Sequence, residues 1–302
     1  MAVIDLQMEM QEGLGGRLKR RLPLAVLRRT LRTRGAGFGL VVTAVVIFMA
    51  LTADFISPYN PIAQNYALVL QTPNSAHLLG TDELGRDVLS RIIYGSRVSI
   101  QAGLVSVGFA VVMGVMMGLL AGYFGRWVDS LLMGLADAMW SFPNLVLALA
   151  IGAILGPGLT NAMIAIGIVY TPLFARLVRG QALSVREMEY IQAARVMGAG
   201  PVRLMLKHIW PNVASAVVVQ ASLMVGVAII VEAALSFLGL GVQPPQPSWG
   251  SMLKSAYQYM TRAPWISIFP GAAIFLTVLG VNLLGDGLRR ALDPRLKEFG
   301  EA

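Results

Sequence analysis

From Val98 to Gly122 the chain runs without a single charged side chain. At about 1.5 Å per residue that length crosses the roughly 30 Å hydrocarbon core of a bilayer with some tilt. Comparable apolar stretches recur at 38–53, 130–155, 159–178, 214–241 and 265–285. Inside lipid every backbone N–H and C=O must be satisfied within its own segment, so stretches of this length and spacing predict helices. The expectation is an all-α, polytopic membrane protein with six spans. Composition agrees: 56% hydrophobic and 13% charged residues with a mean hydropathy of +0.67 exclude an ordinary soluble globule of 302 residues.

Charge sets the expected orientation. The first 36 residues carry Arg17, Lys19, Arg20, Arg21, Arg28, Arg29, Arg32 and Arg34, and the tail carries Arg289, Arg290, Arg295 and Lys297. By the positive-inside rule both termini face the cytoplasm. The run 38–53 has a long basic leader and no Ala-x-Ala pattern after it, so it reads as an uncleaved first span. The divisions that follow are a basic segment 1–36, a first span with its outer segment 37–97, a core 98–287 containing the loop 182–211, and a tail 288–302. In the outer segment Thr81 is expected to cap a helix that holds Glu83 in its first turn. Val88, Leu89, Ile92 and Ile93 then share a face opposite Arg86, Asp87 and Arg91, which predicts an amphipathic helix lying at the interface. Residues 123–129 form a short turn, Pro143 kinks the third span, and Trp249, Tyr257, Tyr259 and Trp265 anchor the last outer loop at the headgroups.

Catalytic chemistry has little to work with. There is no Cys, and His77 and His208 are the only histidines, so a thiolate cluster or a Cys nucleophile is excluded and a metal centre lacks ligands. The lysines Lys19, Lys207, Lys254 and Lys297 each follow Leu, whereas a nucleotide-binding loop needs Gly before its Lys. The net charge of +8 sits in loops between apolar segments, without the interleaved aromatics of a nucleic-acid surface. No cofactor is expected on this chain.

Between the fourth and fifth spans lies a polar, basic island, Glu189 to Pro211. Gly198 suits the left-handed end of one short helix and Pro201 the first turn of a second. Ala193 and Ala194 offer a small face for close approach of another surface. The pattern Gln192-Ala193-Ala194, Gly198 and Ile209-Trp210-Pro211 resembles the cytoplasmic loop of permease subunits in ATP-binding-cassette importers. Three further stretches, GTDELGRDVLSRIIYGSR, EAALSFLGLGVQPPQPSWG and NLLGDGLRRALDPRLK, are similar to the second permease of dipeptide, oligopeptide and nickel importers.

That resemblance implies the six-span fold of type I importers and a bacterial inner-membrane location. It also implies a homologous partner permease, two cytoplasmic subunits that bind ATP and Mg, and an extracytoplasmic binding protein. Glu189, Gln192, Ala193, Ala194, Gly198 and Pro201 become the coupling contact with an ATPase subunit, with Gln192 standing where the family has Glu. The cargo is expected to be peptide, the alternatives being nickel chelates, opines or short saccharides within the same machine. A secondary transporter or channel is a more distant alternative.

Candidates for a gate or pathway are Asp137, Trp140, Phe142, Met224 and Glu232. Asp137 and Glu232 are charges placed within spans, where each costs at least a few kcal/mol and so invites either a functional or a helix-bridging role. Neither is expected to pair with a Lys or Arg inside a span. The numerous Met residues suit packing, or a cavity that accepts varied cargo.

Overall fold

The computed structural model describes residues 35–292, all helical apart from turns and one isolated bridge between Thr81 and Asp87. The charged segment 1–34 and the tail residues beyond 292 lie outside the described residues. Among the described residues nine α-helical segments carry the fold: α1 (Ala36–Ile56), α2 (Val88–Phe124), α3 (Arg126–Trp140), α4 (Asn144–Leu155), α5 (Leu159–Arg186), α6 (Glu189–Val196), α7 (Pro201–Leu238), α8 (Trp249–Tyr257) and α9 (Trp265–Leu292). Five of them, α1, α2, α5, α7 and α9, are long and apolar enough to cross a membrane alone.

The predicted third span is two helices. α3 and α4 meet at 96°, and together they supply the sixth crossing only as a broken span. Pro143 lies at the break, where its ring and missing N–H prevent α3 from continuing. Ser141 N–H still donates to Asp137 O at 3.0 Å and Phe142 N–H to Met139 O at 3.4 Å, but Pro143 has no N–H to carry the ladder on, which converts the expected kink into a corner. The expected turn at 123–129 shrinks to Gly125, whose φ of 63° lets the chain reverse between α2 and α3.

A line of glycines on α2 determines how the bundle closes. Gly114, Gly118 and Gly122 recur every four residues and meet α5 along its length. A β-carbon on Gly118 would lie 2.5 Å from the Ala175 carbonyl oxygen and 2.6 Å from Val178 Cβ, and one on Gly122 would lie 2.8 Å from Ala182 Cβ. Backbones approach this closely only where side chains are absent, the usual device for packing helices in lipid. Around this seam α2, α4, α5, α6 and α7 share one apolar core that includes Phe174, Ile166, Val178, Ile191, Leu204 and Leu235. A second cluster joins α1, α2, α8 and α9 through Val46, Ile92, Trp249 and Ile266.

The bundle has two ends. One, the loop end, gathers the start of α1, the end of α2, the end of α5, α6 and the start of α7. The other, the cap end, holds residues 57–87, the end of α7, α8 and the start of α9. The cap corrects two expectations. Val88 to Arg97 is the first part of one continuous helix, so no interfacial helix precedes the second span and no hinge falls at the 97/98 boundary. Arg86, Asp87 and Arg91 are buried rather than facing water.

Asp82 accepts from the Arg86 backbone N–H and Nε at 2.9 and 2.6 Å and pairs with Arg91 Nε at 3.3 Å, while Arg86 Nη2 donates to Glu83 at 2.7 Å. The cap of α2 is Asp87, not Thr81. Its carboxylate accepts from Ser90 N at 2.8 Å and faces His77 Nδ1 at 2.9 Å. Thr81 instead donates to Leu68 O and accepts from Gln71 N. Charges as buried as these are tolerated because each has a partner. These arginines are neutralised in place and serve the fold.

The anchor reading of Trp249 also changes. Its indole is fully buried, donates from Nε1 to Ile92 O at 3.0 Å and rests on Gly95, where a β-carbon would approach its ring to 2.8 Å. Trp265 is partly buried and donates to Thr81 O at 3.3 Å. These two tryptophans fasten the cap to the bundle, while Tyr257 remains exposed.

Candidate functional site: the loop between α5 and α7

α5 projects past its last apolar turn and is pinned there by Arg186, whose Nη1 donates to the Gly122 and Tyr123 carbonyls, both at 3.1 Å, and whose Nε meets Glu187 at 3.0 Å. Those carbonyls end α2 and have no helical donor of their own, so the guanidinium satisfies them and fixes where the loop leaves the bundle. α6 begins with Glu189 in its first turn and ends with Arg195 in its last, each charge matched to the helix dipole.

Its end is a Schellman closure. Gly198 takes φ 87°, its N–H donates to Arg195 O at 3.0 Å, and the Ala199 N–H donates to Ala194 O at 3.0 Å. Pro201 then occupies the first turn of α7. The second short helix expected from the sequence is therefore the beginning of the fifth span itself. A π segment at Leu204–Ile209 precedes Pro211, which has no N–H to give to a regular helical bond, so the wider turn is placed where the ladder is already interrupted.

The two faces of α6 differ. Ile191 and Ala194 turn inward against Leu204 and Ile209, so Ala194 is part of the core and not of a contact face. Gln192 and Ala193 are exposed, and Gln192 Nε2 donates back to Glu187 O at 3.2 Å. In place of the Ala193–Ala194 pair the loop presents Val196 and Met197, 88% and 81% exposed, with Val202 beside them across the glycine corner. Val196 and Met197 are thus among the most exposed large apolar side chains of the described residues, carried on a loop braced by an arginine and a buried helix face. The sequence signal for them was present: Val196 and Met197 are apolar within a basic island yet fall off the Ile191–Ala194 face.

The pathway candidates separate into two places. Asp137 pairs with Arg176 of α5, contrary to the expectation that it lacked a basic partner, and the Arg176 guanidinium lies 3.9 Å from the centre of the Trp140 ring. Phe142 sits in the corner beyond α3 with its side chain exposed. Below them Asp129 and Arg179 form a second, two-pronged bridge between α3 and α5.

Met224 and Glu232 stand elsewhere, in helix packing. Met224 belongs to the apolar core. Glu232 is fully buried at the cap end, accepts from Ser236 Oγ at 2.6 Å, and through Ser236 holds the Val242 N–H at 3.1 Å. Its partnerships tie the turn after α7 back onto the helix. Among the described residues no group of His, Cys, Asp or Glu could hold a metal ion.

With that geometry, comparison with known proteins is decisive. Residues 114–298 match the family model described as binding-protein-dependent transport system inner membrane component, and residues 25–73 match the N-terminal TM domain of oligopeptide transport permease C. The chain belongs to this permease family. The permease is 47% identical over 259 residues to the dipeptide transport system permease protein DppC of Alkalihalophilus pseudofirmus, covering 86% of this chain and 85% of that one. It is 46% identical over 273 residues to the glutathione transport system permease protein GsiD of Pectobacterium atrosepticum, covering 89% and 90%. Against a di/tripeptide transport system permease protein DppC of Pseudomonas aeruginosa the identity is 47% over 270 residues, covering 87% and 89%.

Among solved structures, an inward-facing form of the MetNI methionine ABC transporter matches with a TM-score of 0.53 at 20% identity, over 67% of this chain and 96% of that one. The permease therefore has the fold of an ABC importer membrane subunit.

Proposed function

We propose that this permease forms half of the translocation pathway of an ATP-driven importer for dipeptides and oligopeptides in the bacterial inner membrane, with both termini in the cytoplasm. Its partners are a homologous second permease, two ATP-hydrolysing subunits that bind ATP and Mg, and an extracytoplasmic binding protein that delivers the cargo. The observation that carries the reading is the loop between α5 and α7. α6 is fixed to the bundle by Ile191, Ala194 and Arg186, while Gln192, Ala193, Val196, Met197 and Val202 face outward. That is what a rigid lever seated in an ATPase cleft needs. Glu189, Gly198 and Pro201 set its start, its corner and its return into α7. The relatives' names, which specify dipeptides, di/tripeptides and glutathione, favour peptide over the other cargoes of the wider family.

Reconstitution tests the assignment. Liposomes holding both permeases and both ATPase subunits are expected to accumulate labelled dipeptide only when binding protein and ATP are both supplied. Accumulation without ATPase subunits overturns it in favour of a channel or secondary transporter.

Orientation has its own check, made clean by the absence of native Cys. Cysteines at the exposed positions Ser75 and Tyr257 are expected to react with an impermeant thiol reagent in spheroplasts, and one at Arg203 is not. Labelling at 203 from outside reverses the model.

A further inference from the structure

The two ion pairs that join α3 to α5 are not equivalent. Asp129 receives Arg179 through both carboxylate oxygens and is 19% exposed, the arrangement of a structural tie. Asp137 is 66% exposed and takes a single hydrogen bond from Arg176 Nη2. The rest of the Arg176 donors have no protein acceptor among the described residues and stand open to a second one. Arg176 lies about 15 Å along α5 from Arg186, inside the crossing segment. Both side chains stand open at the end of the apolar stretch 159–178, and a charge left open is not tolerated against lipid tails, so this face of α3 and α5 borders water. Trp140 holds the guanidinium plane at 3.9 Å, independent of Asp137.

An exposed, single-bonded pair is held weakly, so Arg176 can exchange Asp137 for another carboxylate at little net cost. We infer that Arg176, oriented by Trp140, is a way-station in the pathway that takes the terminal carboxylate of a peptide in exchange for Asp137. The released Asp137 is then available to the ammonium end of the same zwitterion. The assignment rests on the peptide reading above.

The test uses the complete importer in nanodiscs with Asp137→Cys as its only thiol on this subunit, which leaves a thiol beside Arg176 and removes the competing carboxylate. Alkylation by neutral iodoacetamide is expected to proceed. Trialanine at about ten times its Kd is expected to slow it about tenfold, as occupancy of one site requires. Trialanine amide is expected to leave the rate unchanged. Adding Arg176→Gln is expected to abolish the protection and Arg176→Lys to retain most of it.

Equal protection by acid and amide overturns the carboxylate assignment, as does protection that survives Arg176→Gln. A thiol that never reacts shows the partner permease covering this face and overturns the assignment as well. Import of trialanine by the unmodified importer is measured in parallel. Import without carboxylate-dependent protection removes this inference alone, and failure to import removes the peptide reading with it.

Discussion

Gly198→Val is expected to leave a permease that inserts, assembles and lets its ATPase subunits hydrolyse ATP, while peptide import falls at least about tenfold, a loss of roughly 1.4 kcal/mol of coupling. The glycine sits at φ 87°, in the left-handed region, and there is open space where a β-carbon would go. Bulk is therefore not the issue. A β-branched residue cannot hold that backbone angle without strain of about 1–2 kcal/mol or more, so the Schellman closure opens and α6 shifts relative to α7.

Ala193→Glu approaches the same function from outside. Its side chain is exposed on α6, so added charge and bulk change the docking face and leave the bundle intact. Ala194→Glu is a different experiment, because Ala194 is buried: it forces a carboxylate beneath α6 and is expected to disorganise the loop and reduce the yield of folded protein. The measurement is paired ATPase and import assays on purified complexes, with ATPase retention read from the gel. Wild-type import in both Gly198→Val and Ala193→Glu would remove the lever role of α6.

The second large effect concerns the fold. Gly118→Val is expected to prevent accumulation of folded permease, seen as loss of the monodisperse peak in detergent and loss of co-purified partners. Its new β-carbon meets the Ala175 carbonyl oxygen at 2.5 Å, and backbone on two packed spans cannot give way as a flexible side chain could. Overpacking of a close seam ordinarily costs about 1–3 kcal/mol, and the seam here continues to Gly114 and Gly122, so the helices must part along several turns. Gly108→Val, on the same helix with nothing near its β-carbon, is expected to fold and assemble as wild type. Equal yields from the two variants would show that α2 and α5 do not depend on this contact.

What was legible in the sequence is what depends on a residue and its near neighbours. Apolar runs of spanning length announced α1, α2, α5, α7 and α9, because satisfying backbone groups in lipid forces helix locally. The island between α5 and α7 announced itself by polarity, by Gly198 and by Pro201, since a left-handed glycine and a helix-starting proline are also local requirements. The Gly114–Gly118–Gly122 spacing was on view too, but not which helix it meets.

Tertiary structure decided everything that depends on a distant partner. Arg91 looks like a surface charge until the fold buries it and brings the Pro61 carbonyl, 30 positions away, to accept from its Nη1. Asp137 looks unpaired until α5 brings Arg176 across from 39 positions along the chain. Trp249 resembles an interfacial anchor, yet lies 157 positions from the Ile92 carbonyl it finds. Ala194 and Val196 are near neighbours on one short helix, and only the packing of α6 on α7 turns the first inward and leaves the second bare. Hydropathy tells whether a segment enters the membrane; the pairing of charges and the choice of exposed face are fixed by which surfaces the closed bundle leaves uncovered.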